Sequence, residues 1–229
     1  MTPSTYALLS LPVAAAILGA IVATYARPTP AVVSGVQHLA AGVVFAAAAA
    51  EVLPGLTHYK APIATLVGGV IGIGVMLGIM QAERRWEGPI GMAATTAVDL
   101  LVDGLVLGLG FIAGAKAGIL LTVALTLEVL FLGLTMADAF GGARARVRSV
   151  VATALLVMAL PLGAALAPPI SSLPGPVVAG FLAFGLVALL YLVTEELLVE
   201  AHEKPDGPWT TAFFFVGFLA VLLLDQAIG

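Results

Sequence analysis

Apolar residues run along this chain in long blocks, broken at short polar, Pro-bearing or Gly-bearing intervals. A helix needs about 20 such residues to cross the hydrocarbon core of a bilayer. Dividing the chain at Arg27-Pro28-Thr29-Pro30, His58-Tyr59-Lys60, Glu83-Arg84-Arg85-Trp86-Glu87, Gly141-Gly142, Pro168-Pro169 and the weaker breaks between them gives eight blocks. The pattern predicts helices over about 5–26, 31–56, 62–82, 89–113, 116–139, 148–167, 176–201 and 208–228, with ends uncertain by a few residues. No connection is long enough to hold a soluble domain, so residues 1–229 read as one all-α transmembrane domain.

Composition points the same way. Hydrophobic residues make up 61% of the 229 and charged residues 10%, whereas soluble domains carry about a quarter charged residues. The absence of cysteine excludes disulfides and thiolate metal sites. No basic stretch precedes the block from Tyr6 to Tyr25, so a retained first helix is expected rather than a cleaved leader. With the N-terminus outside, alternate loops place Arg27, Arg84, Arg85, Arg144, Arg146, Arg148 and Lys204 inside, and only Lys60 and Lys116 outside. That asymmetry predicts both termini facing outward. The expected location is the cell membrane, multi-pass, and the cytoplasmic membrane in a prokaryote.

An ionisable side chain deep in a bilayer is a functional hypothesis by default, because placing it there costs several kcal/mol. Asp99 and Asp103 fall at the middle of the fourth block and Glu128 at the middle of the fifth. The two aspartates are four residues apart, on one helical face. No Lys or Arg lies at that depth to pair with them. Such carboxylates must be protonated, or must face water or a cation. All-oxygen ligands suit hard or borderline divalent ions. The competing arrangement is protonated acids bonded between helices, with Thr95, Thr96, Thr122 and Thr126 as partners.

Other polar positions lie towards the helix ends. The seventh block ends in Thr194-Glu195-Glu196-Leu197-Leu198-Val199-Glu200-Ala201-His202. Glu195, Glu196, Glu200 and His202 are candidates for a path on the inner side, with His38 at the inner end of the second block. The expected placement of a lone His there is interfacial. Glu51, in the outer third of the second block, is a candidate at an outer entrance. Asp138 and Asp225 are expected at the interface. Glycines at four-residue spacing (Gly68/Gly72, Gly74/Gly78, Gly104/Gly108, Gly110/Gly114) predict close helix packing, internally or in a homodimer. An echo links Asp99-Leu-Leu-Val-Asp103-Gly104-Leu105 to Glu128-Val-Leu-Phe-Leu132-Gly133-Leu134. Paired elements of opposite sense around a midplane site are a plan used by secondary transporters.

These features resemble the ZIP family of divalent-metal transporters. The family's fourth-helix pattern, H-N-x-P-E-G, lies over Asp99 to Gly104, with its His on Asp99 and its Glu on Asp103. Its fifth-helix pattern, [HQ]-[ED]-x-P-E-G, puts the first ligand on Glu128 and the bridging Glu on Leu132. Its seventh-helix frame, S-H-E-x-x-P-E, fits Thr194 to Glu200 with Glu195 at the His position. Glu51-Val52-Leu53-Pro54 is similar to the close of the family's second helix. The membrane-embedded His residues, the Asn and the prolines of both metal-site motifs are absent here. The resemblance implies eight helices in an inverted-repeat bundle, with both termini outside and one metal site formed by Asp99, Asp103 and Glu128. It also implies motion of the first and last three helices against a more fixed central pair. The substrate expected is a divalent metal ion (zinc, manganese or iron), with a bias to manganese or iron(II) because the ligands are all oxygen.

The alternatives are a proton or small-solute transporter with titrating carboxylates, and a ZIP-like membrane protein that does not transport. An enzyme is not expected: there is no H-E-x-x-H, no G-x-S-x-G and no Cys nucleophile. Nucleic-acid binding has no support, since the few basic residues follow the topology rule.

Overall fold

A computed structural model of the chain describes residues 3–26, 29–85, 88–139, 145–203 and 207–228. Arg27, Arg144, Lys204 and the predicted breaks at 27–28, 86–87 and 141–142 lie outside these residues, as do the side chains of Asp138 and Arg146. All regular elements among the described residues are helical. They form eight helices long and apolar enough to cross a membrane: α1 (Pro3–Ala26), α2 (Pro30–His58), α3 (Pro62–Arg85), α4 (Pro89–Ala113), α5 (Ala115–Ala139), α6 (Val147–Ser171), α7 (Gly175–His202) and α8 (Pro208–Ile228).

Prolines begin several of these helices, where a missing N–H removes nothing the helix would use. Pro30 and Pro89 sit in the first turns of α2 and α4. The same rule corrects the predicted end of the sixth helix. Pro168-Pro169 does not stop it; both lie in the first turn of a further helical piece, Ala167–Ser171, that extends α6. α2 and α7 each contain a π turn, at Ala48–Val52 and Leu192–Leu197. A π turn widens the helix locally and is often found at functional sites.

Four helix pairs make the closest contacts: α1 with α5, α2 with α8, α3 with α7, and α4 with α6. Three of them meet at reciprocal glycines. A Cβ on Gly104 would sit 1.9 Å from the Leu160 carbonyl oxygen, and one on Gly163 would sit 2.0 Å from that of Leu101. Gly19 and Gly133 stand in the same relation across α1 and α5, 2.2 Å from Leu130 O and 2.1 Å from Ala16 O. Gly42 and Gly217 do so across α2 and α8. In the fourth pair, α3 approaches α7 at Gly68, where a Cβ would lie 2.1 Å from Gly180 O. Without a hydrophobic drive between helices in lipid, association rests on such backbone-close packing. Two of the predicted glycine pairs therefore pack, Gly68/Gly72 and Gly104/Gly108. Gly74 and Gly78 meet nothing within 4 Å.

Further contacts gather the helices into two sets, α1, α4, α5 and α6 on one side and α2, α3, α7 and α8 on the other. The main seam between the sets is α2 against α5. The largest apolar core straddles it, with Val43, Val44 and Ala47 of α2 near Leu121, Leu125 and Val129 of α5. The outer faces are apolar too. Ile63, Leu66 and Val70 of α3 and Phe215, Leu219 and Leu223 of α8 are all exposed. A soluble monomer rarely leaves a continuous surface of this kind uncovered; lipid tails cover it. The chain is a multi-pass membrane protein.

Candidate metal centre

α4 and α5 are separated by Gly114 alone and return on each other as a hairpin. Gly110 packs on Leu121 and Gly118 on Phe111 near the turn. This brings the middle of α4 beside the middle of α5. Asp99 and Asp103, one turn apart on α4, thereby face Glu128 on α5. One carboxylate oxygen from each lies within 4.8 Å of the other two. Asp103 is 2% exposed and Glu128 5% exposed, and Asp99 is partly buried. The Asp103 and Glu128 carboxyls are close enough for one to hydrogen-bond the other.

Apart from that contact, Asp103 Oδ2 and Glu128 Oε2 are buried with no hydrogen-bond partner among the described residues. Three of the four threonines that could have served them donate to backbone carbonyls of their own helices instead. Thr95 donates to Gly91 O at 3.2 Å and to Met92 O at 3.0 Å, Thr122 to Gly118 O and Thr126 to Thr122 O, both at 2.6 Å. A buried acid without a partner is costly in either protonation state. A cation held by the three carboxylates would compensate both orphaned oxygens and offset the repulsion among the acids. The donor set is all oxygen, which suits a hard or borderline divalent ion. Leu132, one turn beyond Glu128, packs against the core and offers no further ligand.

The other predicted residues divide between two places. Glu51 lies in the π turn of α2, close enough to Asp225 of α8 for one carboxyl to hydrogen-bond the other, and Asp225 pairs with Lys116 at the start of α5 at 2.9 Å. Asp225 is thus a bridging residue rather than only an interfacial one. It ties the two helix sets together at the end where α4 turns into α5. Swapping the charges (Lys116→Asp with Asp225→Lys) is expected to restore whatever either single change perturbs, read as thermal stability of the purified protein in detergent. A double variant no better than the singles would show that the pair is incidental.

At the opposite end, α2 meets the last turns of α7. Glu196, in the π turn of α7, is half-buried and near enough to act electrostatically on Glu128. Glu195 is exposed and does not join the buried acids. Glu200 accepts a hydrogen bond from Gln37 Nε2 at 2.9 Å. His38 departs from its expected interfacial placement: it is wholly buried, because α7 covers this face of α2, and its ring meets that of His202.

Several polar residues here were not singled out from the sequence. Ser34 and Gln37 are fully buried beside His38, and Thr153 of α6 is buried with its hydroxyl unpartnered. The spacing of Ser34, Gln37 and His38, at i, i+3 and i+4, was the available signal of one polar face on an otherwise apolar helix. No protein-family model matches the chain, and no curated protein matches it.

Proposed function

We propose that this protein is a membrane transporter of a divalent metal cation, bound as cargo between α4 and α5 by Asp99, Asp103 and Glu128. The observation that carries this reading is the carboxylate trio at mid-helix, in which Asp103 and Glu128 are buried and each has an oxygen without a partner among the described residues. A cation, bound tightly enough to replace part of its hydration and loosely enough to leave, accounts for both the grouping and the two unpartnered oxygens of Asp103 and Glu128.

The helix pairing supports an inverted repeat of the ZIP-like kind. Exchanging α1, α2 and α3 for α6, α7 and α8, and α4 for α5, turns every close pair into another close pair. The same exchange carries the π turn of α2 onto that of α7. Helices so exchanged run in opposite senses, as in transporters that alternate access around a central site. The contacts favour a division for that motion different from the one the resemblance implies. The set α1, α4, α5 and α6 would carry the ion against α2, α3, α7 and α8, with the α2–α5 seam as the sliding surface. The distribution of Lys and Arg supports both termini facing outward.

Two measurements test this reading. In proteoliposomes, manganese(II) or iron(II) flux should depend on the protein, and in crystals soaked with manganese an anomalous peak should lie among the three acids. No such peak at high metal, with proton or solute movement in place of metal flux, would favour the second reading, a proton or solute carrier. That reading draws on the hydrogen bond between Asp103 and Glu128. Competition should also show manganese holding its own against zinc, because no nitrogen or sulfur ligand is among the three. Zinc binding this trio far more tightly than manganese would sink the predicted bias.

A further inference from the structure

A second polar cluster lies apart from the acids, where the first turns of α2 meet the end of α7. Two hydrogen bonds tie the helices there, both from residues just before His38. Ser34 Oγ donates to Ala201 O at 3.1 Å, and Gln37 Nε2 donates to Glu200 Oε2 at 2.9 Å. His38 Nδ1 lies 2.9 Å from the carbonyl oxygen of Ser34. A carbonyl only accepts, so the proton of this bond sits on Nδ1. In the neutral ring Nε2 then carries a lone pair. That nitrogen is buried and has no hydrogen-bond partner among the described residues.

His202 is oriented in the same way, with Nδ1 on the carbonyl oxygen of Leu198 one turn earlier. Its ring centroid lies 5.1 Å from that of His38, at an interplanar angle of 64°. Two imidazoles bound through Nε2 to one tetrahedral ion, with metal–nitrogen distances of about 2.0–2.1 Å, have centroids about 5 Å apart. Fixing Nδ1–H on a carbonyl oxygen is also the usual way a protein sets the tautomer and angle of a metal-binding His.

We propose that His38 and His202 form a second cation site, with nitrogen donors, for a borderline divalent ion such as zinc, cobalt or nickel, with water completing its shell. Imidazole donors select such ions over the harder ones that suit an all-oxygen set. The site stands at the end of the bundle opposite Glu51. Glu196 and Glu200, four residues apart on α7, connect it with the carboxylate trio: Glu196 acts on Glu128, and Glu200 is held by Gln37 beside His38. Its role as a station for cargo rests on the transport reading; its capacity to bind a metal does not.

The test uses the purified full chain in nanodiscs, with any polyhistidine tag removed and with Asp103→Asn as background to disable the trio. Copper(II) serves as a spectroscopic probe of bound nitrogen, and zinc(II) is measured by titration. The chain has three histidines, and His58 is exposed at the other end of α2. The background protein should bind zinc and show copper coupled to two imidazole nitrogens. His202→Ala should weaken zinc at least tenfold and leave one nitrogen, and His58→Ala should change neither. His38→Gln should remove binding; because His38 is buried, the exposed His202 gives the result that does not depend on the folding of that variant. Copper without imidazole coupling in the background protein, or zinc affinity unchanged by His202→Ala, would overturn the proposal. Loss of uptake in Asp103→Asn speaks only to the trio, so the two readings fail separately.

Discussion

Asp103→Asn is expected to abolish metal-dependent uptake while leaving the protein folded and in the membrane. The side chain is 2% exposed, and its Oδ2 has no hydrogen-bond partner among the described residues beyond the contact with Glu128. Asn has nearly the same shape, so packing against α5 and α6 survives. What disappears is one negative charge from a group of three acids whose oxygens lie within 4.8 Å of one another. Loss of a residue that merely supports a metal ligand costs about 10–100-fold in affinity, so loss of a charged ligand should cost at least about a hundredfold. Without metal, the change should not lower thermal stability, because the amide keeps the shape of the side chain and can still hydrogen-bond Glu128. Uptake in proteoliposomes and melting in detergent check the two halves. Uptake at the level of the unaltered protein would remove Asp103 from the mechanism.

Gly104→Ala should be among the most destabilising single-atom additions to this protein. The new Cβ would meet the Leu160 carbonyl oxygen at 1.9 Å and the Ala164 nitrogen at 3.0 Å. Both are backbone atoms of α6 and cannot swing away as a side-chain end could, so α4 and α6 must move apart. Overpacking a well-filled interior costs about 1–3 kcal/mol, and a backbone clash belongs at the top of that range. Separating the pair would also displace Asp103, the adjacent residue, so metal binding should weaken with stability. Gly74→Ala is the control: nothing lies within 4 Å of its Cβ, and Ala is the better helix former. It should be neutral or slightly stabilising. Equal melting temperatures for the two variants would show that the α4–α6 contact does not carry the fold.

The contrast between Gly104 and Gly74 shows how far the linear pattern reaches. Both belong to four-residue glycine pairs and are equivalent by spacing. One lies against a carbonyl oxygen and the other against open surface, which depends on where another helix passes. The helices themselves were largely readable from the chain, because in lipid each span must satisfy its own backbone hydrogen bonds and carry its own apolar surface. Those are local requirements, met residue by residue. The Pro168-Pro169 boundary misled because proline is as suited to the first turn of a new helical piece as to the end of an old one.

The same division holds for the candidate sites. That Asp99, Asp103 and Glu128 share one depth follows from position along two adjacent spans, and their convergence needs only a tight hairpin at Gly114. Sequence alone therefore specified the eight apolar spans, the mid-span position of the three acids and the common face of the two aspartates. Tertiary structure alone decided the partners: α2 against α5 and α8, α4 against α6, Lys116 against Asp225. It also decided that His38 is enclosed and set against His202, 164 positions away in number but adjacent in space. Helix–helix contacts are made between surfaces that look alike as apolar sequence, and which carbonyl oxygen, glycine or imidazole meets which is fixed only when the helices cross.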